Sequence, residues 1–268
     1  MDIVTIDGRP VSILGLAGNQ KIEQDCVSKA FNAGINYFFF YNQNVLNLLD
    51  GLKPLLAARR TEIVVATGSE SRDISSIRQY IDSVRRNLNI DLLDVFKVEY
   101  VSPTDELSQV QALLEELHAW KEKGLIRYVG ATTHNRTVAL ELIAGGRCDV
   151  LMHRYNMAHR TAEEQVLPAA MRAGIPVIAF TATRCGTLLK GHPSWQHEVP
   201  SAADCYRYVL QHPAVRLALS APQSVAQLNE NLSAMKLGAL NLQQKALWDE
   251  YGQVIYGDGL SSFETQWS

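Results

Sequence analysis

No apolar run in this chain approaches the roughly 20 residues that cross a bilayer as a helix, and no basic segment leading into an apolar stretch stands in Met1-Asp2-Ile3-Val4-Thr5-Ile6. No membrane partner is expected, and the cytoplasm is the expected compartment. Cysteine is scarce and dispersed: Cys26, Cys148, Cys185 and Cys205 form no close pair of the kind that binds zinc or cycles as a dithiol. They are expected to be reduced and mostly buried, with Cys185 next to Arg184 the one candidate for a reactive thiol. A surplus of positive charge is missing too, since the net charge is -3, so nucleic acid is not an expected partner. His and carboxylate residues show no metal-ligand spacing, and no metal is expected. A Gly-x-Ser-x-Gly elbow is absent, which argues against the usual hydrolase arrangement. Gly15-Leu16-Ala17-Gly18 lacks the third glycine and the downstream acid of a doubly wound dinucleotide site. Low-complexity linkers are also missing, so residues 1–268 are expected to form one domain.

What the chain does have is a repeat. Hydrophobic residues make up 47% and charged residues 20%, enough apolar material for a large core. Short apolar runs at 13–16, 37–40, 63–66, 93–98, 128–130, 150–152, 176–180 and 215–219 alternate with helical patterns. Helix starts are signalled at Asp73, Ser102-Pro103, Thr161 and Ser224. Val110, Leu113, Leu114, Leu117 and Trp120 recur three or four apart and form one buried stripe. Strands separated by helices must run parallel, and about eight such units close readily into a barrel. The predicted fold is therefore an α/β protein, a (β/α)8 TIM barrel. Asp7-Gly8 predicts a hairpin turn that plugs the barrel bottom, and residues 242–251 with the tail from Gly257 add a C-terminal helix and extension.

Several stretches, in order and at matching spacing, resemble the aldo-keto reductase family. They are Val11-Ser12-Ile13-Leu14-Gly15-Leu16, Ala33-Gly34-Ile35-Asn36-Tyr37-Phe38, Asp91-Leu92-Leu93-Asp94-Val95-Phe96, Gly124-Leu125-Ile126-Arg127-Tyr128-Val129-Gly130, Arg154-Tyr155-Asn156 and Glu230-Asn231. The resemblance implies a nicotinamide-dependent oxidoreductase acting on a small carbonyl or unsaturated metabolite. It also implies an Asp, a Tyr, a Lys and a His at four strand ends, and these map to Phe39, Asn44, Gly68 and Glu99. In the family the Tyr is the general acid whose pKa the Lys lowers. None of the four is kept. The resemblance places Thr132 and Thr133 at the nicotinamide carboxamide, Phe180 against its ring, and Ser224, Glu230 and Asn231 at the adenosine end; Thr181 and Arg184, in the loop after the seventh strand, are further candidate cofactor contacts, Arg184 by reaching a phosphate bidentately. Met152 stands where a carboxamide-binding Gln is usual, and Gln223 where a basic residue often holds the 2′-phosphate. NADP or NAD is the implied cofactor, with weakened discrimination for NADP.

Side chains alternate along a strand, so Lys97 and Glu99 are expected to share the barrel interior with Arg154 from the sixth strand. Glu99, its pKa set by burial against Lys97 or Arg154, is a candidate acid or base; the same residues also suit an ion pair that merely fills the barrel. Tyr41, two residues beyond Phe39, is a candidate replacement for the missing phenol, and His134 lies at the face where barrel enzymes mount their chemistry. Three readings stay open: an atypical oxidoreductase, a non-redox lyase, cyclase or isomerase using Glu99, and a catalytically silent barrel that binds a ligand or a protein partner.

Overall fold

Eight parallel strands close into a barrel in chain order in the computed structural model, which describes residues 2–257. The strands are β1 (Leu14–Ala17), β2 (Tyr37–Phe39), β3 (Val64–Ser69), β4 (Leu93–Val98), β5 (Ile126–Thr133), β6 (Val150–Arg154), β7 (Val177–Phe180) and β8 (Val215–Ser220). Pairing of Leu14, Gly15 and Leu16 with Ala218, Leu219 and Ser220 seals the ring between β1 and β8. The crossovers carry α1 (Asp25–Asn32), α2 (Leu46–Arg59), α3 (Ile74–Leu88), α4 (Leu107–Glu122), α5 (Arg136–Gly145), α6 (Val166–Ala173) and α7 (Ala202–Leu210). Beyond β8 come α8 (Val225–Leu232) and an additional helix, α9 (Leu242–Tyr256). The predicted C-terminal tail lies outside the described residues.

Two apolar clusters follow from strand alternation. Tyr37, Phe39, Val64, Val95, Tyr128, Val150, Met152, Ile178, Phe180, Leu217 and Leu219 point into the barrel. Outward residues such as Phe38, Val65, Phe96, Val129 and Ala179 join the helix stripes in the second cluster. The α4 stripe of Val110, Leu113, Leu114, Leu117 and Trp120 is buried as its spacing predicts. Asp73 and Ser224 cap α3 and α8 through their side chains, as expected. The start signals at Ser102 and Thr161 fall short of their helices. Asp105 accepts from the Ser102 amide in a local turn, so α4 begins only at Leu107, and residues 161–163 make a single 3-10 turn before α6.

The bottom is closed by the N-terminal segment. One antiparallel bridge, Val4 with Pro10, forms there, while Ile3 and Val11 enter the barrel cluster. The plug is thus a minimal hairpin. Arg127 fastens it by donating to the carbonyls of Val4 and Thr5, and with Arg60 it pairs with the fully buried Asp94.

Candidate active site

Opposite the plug, a cavity of about 550 Å³ runs from Phe39, Tyr100, Met152 and Phe180 to Gln223, Gln227, Glu230 and Asn231. That volume lies within the roughly 300–1,000 Å³ usual for ligand sites. It occupies the C-terminal face, where the loops after the strands meet. Backbone strain gathers around it. Among the described residues, the non-glycine positions with positive φ are Asn89, Tyr100, Thr181, Arg184 and Cys185; Asn89 ends α3, and the other four stand in the loops after β4 and β7. Left-handed backbone at a β-branched Thr is costly and persists where the surroundings impose it, often at functional sites.

Beneath the cavity the expected pair is present. Lys97 and Glu99 are both fully buried, with Nζ 3.6 Å from Oε1. Neither that ammonium nor either carboxylate oxygen has a hydrogen-bond partner among the described residues, and the same holds for the hydroxyl of Thr132. Burial pushes the Glu99 carboxyl up, against the opposing effect of Lys97, and burial pulls Lys97 down. The Lys97 ammonium also lies 4.1 Å from the Phe39 ring centroid, close enough for a cation–π contact. Gly68 is what makes room: a Cβ there would collide with Glu99 Oε1 and lie 2.5 Å from the Lys97 carbonyl. Neither Glu99 nor Lys97 lines the cavity.

Other expected residues are dispersed. Tyr41 lies past the end of β2, is 41% exposed, and donates to Glu70 Oε1 at 2.5 Å, which raises its phenol to about 12. Strand alternation stops at Phe39, so its projection to Tyr41 does not hold. Arg154 joins His134, Arg136, His153 and His159 around a separate small pocket and does not line the large cavity. Thr132 points inward, whereas the hydroxyl of Thr133 accepts from the Asn135 amide at 3.1 Å. Phe180 and Thr181 line the cavity, but the Arg184 guanidinium donates to the Ile255 carbonyl of α9. At the far end Glu230 and Asn231 line the wall, with Glu230 accepting from the Ala202 amide and Asn231 donating to Ser220. Ser224 caps α8 by accepting from Gln227. Three cysteines are buried, while Cys185 is exposed and lines the cavity.

Tyr100, like Tyr206, is a wall residue that sequence patterns miss. Alternation carried beyond Glu99 would turn it outward, but the backbone reverses at a φ of 50° and brings its ring to the cavity. There it joins a ladder of rings: Tyr41 at 5.7 Å, His134 stacked at 5.6 Å, and then Phe180, edge-on to His134 at 4.8 Å. Burial, and then the Glu99 carboxyl, push its phenol up.

Comparison with known proteins gives this architecture a family. Residues 18–195 match the aldo/keto reductase family. The chain belongs to it. Among curated relatives, pyridoxine 4-dehydrogenase of Escherichia coli (strain K12) is 27% identical over 163 residues, covering 57% of this chain and 55% of that protein. NADH-specific methylglyoxal reductase of the same organism is 25% identical over 113 residues, covering 42% of this chain and 35% of its own. The chain therefore spans only about a third to a half of those two relatives. The holo form of an aldo-keto reductase from Bacillus halodurans superposes with a TM-score of 0.76 at 19% identity, covering 90% of this chain and 92% of that one. An aldo/keto reductase from Klebsiella pneumoniae, solved with NADP and acetate, superposes at 0.75 with 16% identity, covering 94% and 95%. At such identities the likeness bears on the fold, and an aldo-keto reductase barrel is the fold observed.

Proposed function

We propose that this aldo-keto reductase family member is an atypical nicotinamide-dependent oxidoreductase that acts on a small carbonyl or unsaturated metabolite without the standard Asp-Tyr-Lys-His set. The observation that carries this reading is the continuous cavity linking the Phe180 ring to Glu230 and Asn231. Its residues fit a dinucleotide: an aromatic wall at one end, polar side chains at the other, and room between. Among the described lining residues there is a carboxylate, Glu230, and no Lys or Arg, which favours the ribose hydroxyls of NAD at least as well as the 2′-phosphate of NADP. Bound there, the cofactor would supply hydride to the substrate.

This chain must supply the proton. Tyr100 is a phenol on the cavity wall, linked to Phe180 through the His134 ring; burial and the neighbouring Glu99 raise its pKa, so it carries a proton but gives it up less readily than a phenol beside a lysine. Glu99 and Lys97, sealed behind that wall, act through Tyr100 as positioning residues. Tyr41 backs the ring from the rim. A non-redox reaction on Glu99 needs that carboxyl at the cavity surface and has less support. The silent binding barrel keeps one specific point in its favour, the complete burial of Glu99 and Lys97.

Cofactor titration separates these readings. NADH is expected to quench intrinsic fluorescence and raise the melting temperature; at about 100 times its Kd the stabilisation should approach roughly 2.7 kcal/mol. No response to NADH or NADPH up to millimolar concentration would remove the oxidoreductase reading. With a carbonyl panel, Tyr100→Phe is expected to lower turnover about 100-fold or more while NADH still binds. Glu99→Gln should shift the pH profile of turnover. Binding without turnover of any carbonyl would leave the silent barrel.

A further inference from the structure

The substrate end of the large cavity is apolar and aromatic. Ala17, Phe39, Met152, Phe180 and Leu219 line it together with the Tyr100 ring. Along one wall the rings stand in series: Tyr100 stacks on His134 with centroids 5.6 Å apart and planes 23° from parallel, and Phe180 is edge-on to His134 at 4.8 Å. Such a wall offers ring faces and edges to a flat conjugated molecule, and the Met152 thioether adds a polarizable contact. Charge is missing from this end. Among the described lining residues the single charged group is Glu230, at the opposite end beside Asn231. A carboxylate or an ammonium on the substrate would leave water without a counter-charge on this wall, so a neutral compound is preferred.

Proton delivery narrows the class further. The family's lysine, which makes its tyrosine a better acid, is Gly68 in this chain. Lys97 does not take over at the cavity surface: it is fully buried beside Glu99, 4.1 Å from the Phe39 ring centroid, and is not among the described lining residues. Neighbouring strands hold it there. Lys97 is in register with Gly68 of β3 and Gly130 of β5, and the Glu99 side chain and the Lys97 stem pack against those two side-chain-free positions. Tyr100 therefore keeps a phenol that burial and Glu99 push up, a slow proton donor. An ordinary aldehyde or ketone, whose reduced oxygen is strongly basic, depends on that donor in the transition state. A quinone does not, because its reduced form is a phenolate-like anion with a pKa of about 10, as for tyrosine.

We propose that the cavity takes a small neutral quinone, stacked along Tyr100 toward Phe180, and reduces it by two electrons to the hydroquinone. The site for a flat neutral ring stands on the cavity wall alone; the reduction rests on the oxidoreductase reading above. The quinone accepts hydride at one oxygen: the nicotinamide carbon–hydrogen bond breaks, an O–H bond forms, and the ring becomes aromatic. Its second oxygen carries the negative charge until it takes a proton from Tyr100 or from water.

Calorimetry on the full chain without cofactor tests the site, with tetramethylbenzoquinone as the probe because its methyl groups block addition of the exposed Cys185 thiol on the cavity wall. The same ring with one methyl exchanged for a propionate is the charged comparison. The neutral quinone is expected to bind about 10-fold or more tighter than the propionate. Tyr100→Phe, which keeps the ring, should bind it as the original chain does, and Tyr100→Leu about 5-fold more weakly. Met152→Ala, expected to weaken it about 3-fold, stands in if Tyr100→Leu does not fold. Reduction with NADH, corrected for the uncatalysed rate, tests the chemistry against benzaldehyde and cyclohexanone. Tyr100→Phe is expected to lower quinone turnover by less than about 10-fold, while the two ordinary carbonyls, already slower, fall about 100-fold or more. Equal or tighter binding of the propionate, full affinity in the wall variants, ordinary carbonyls reduced as fast as the quinone, or a Tyr100→Phe loss as large for the quinone as for them would each overturn the proposal. NADH binding without quinone binding would also overturn it and leave the oxidoreductase reading standing. Quinone binding without any response to NADH would remove the reduction together with that reading and keep the quinone site.

Discussion

At the scale of single residues, position along a strand decides more than residue type. Glu99 and Lys97 were legible as an inward pair because alternation is a covalent property of extended backbone, and the structure has them together and buried. Tyr100 was not legible, since its left-handed φ depends on the loop it enters. Strand alternation puts Arg154 in the same cluster, yet it lines a small pocket with His134, His153, His159 and Arg136. That neighbourhood gives a measurable pH dependence. Burial lowers His153 to about 4, opposed by its bond to the Thr133 carbonyl and assisted by Arg154 and Arg136. An unfolded His titrates near 6.5. The unfolded chain therefore binds more protons between those values, so this stability is fully present above pH 6.5 and is lost as pH falls toward 4. Urea unfolding at stepped pH should show that decline, amounting to about 3 kcal/mol from this residue. His153→Asn, which can keep a donor toward Thr133, should flatten the slope; an unaltered slope would mean that His153 is not neutral in the fold.

At the scale of elements, α9 joins the catalytic-face loops to the helix layer. Tyr251 donates to the Leu188 carbonyl, Asp249 takes Arg160 at 3.0 Å, and Ile255 receives Arg184 from the loop after β7. The helix can approach this closely because residue 252 is glycine: a Cβ there would overlap the Met157 carbonyl in the loop after β6. Gly252→Ala would favour the isolated helix, but the collision must push α9 outward. The expected result is a net loss of about 1–3 kcal/mol, as for other overpacked contacts, visible as a melting temperature lower by about 2–4 °C per kcal/mol. A melting temperature equal to or above that of the original chain would mean that α9 is not seated on this loop. The predicted helix of residues 242–251 ends one turn early, because Gly252 reads as a helix stop, whereas in the structure it lies inside α9 against the Met157 carbonyl.

At the scale of the whole molecule, the closed barrel places one thiol where the proposed cofactor would cover it. Cys26, Cys148 and Cys205 are buried, and Cys185 is exposed on the cavity wall, its thiol pushed up by the partial burial around it. A thiol reagent is therefore expected to modify one cysteine slowly in the native protein and four after denaturation, and saturating NADH should slow the native reaction several-fold. Bound NADH without protection would separate the nucleotide site from this cavity. The sequence by itself determined the barrel: eight short apolar runs separated by helical patterns are local signals, and about eight parallel strand–helix units close readily into a barrel. It also determined that Lys97 and Glu99 face inward. Only the tertiary structure decided that they are sealed beneath Phe39 and Tyr100, that Tyr41 remains at the rim, and that Arg154 gathers with histidines. Those outcomes depend on where strands stop, which loops carry left-handed backbone, and which side chains fill the space left by Gly68, all set by contacts between residues far apart in the chain.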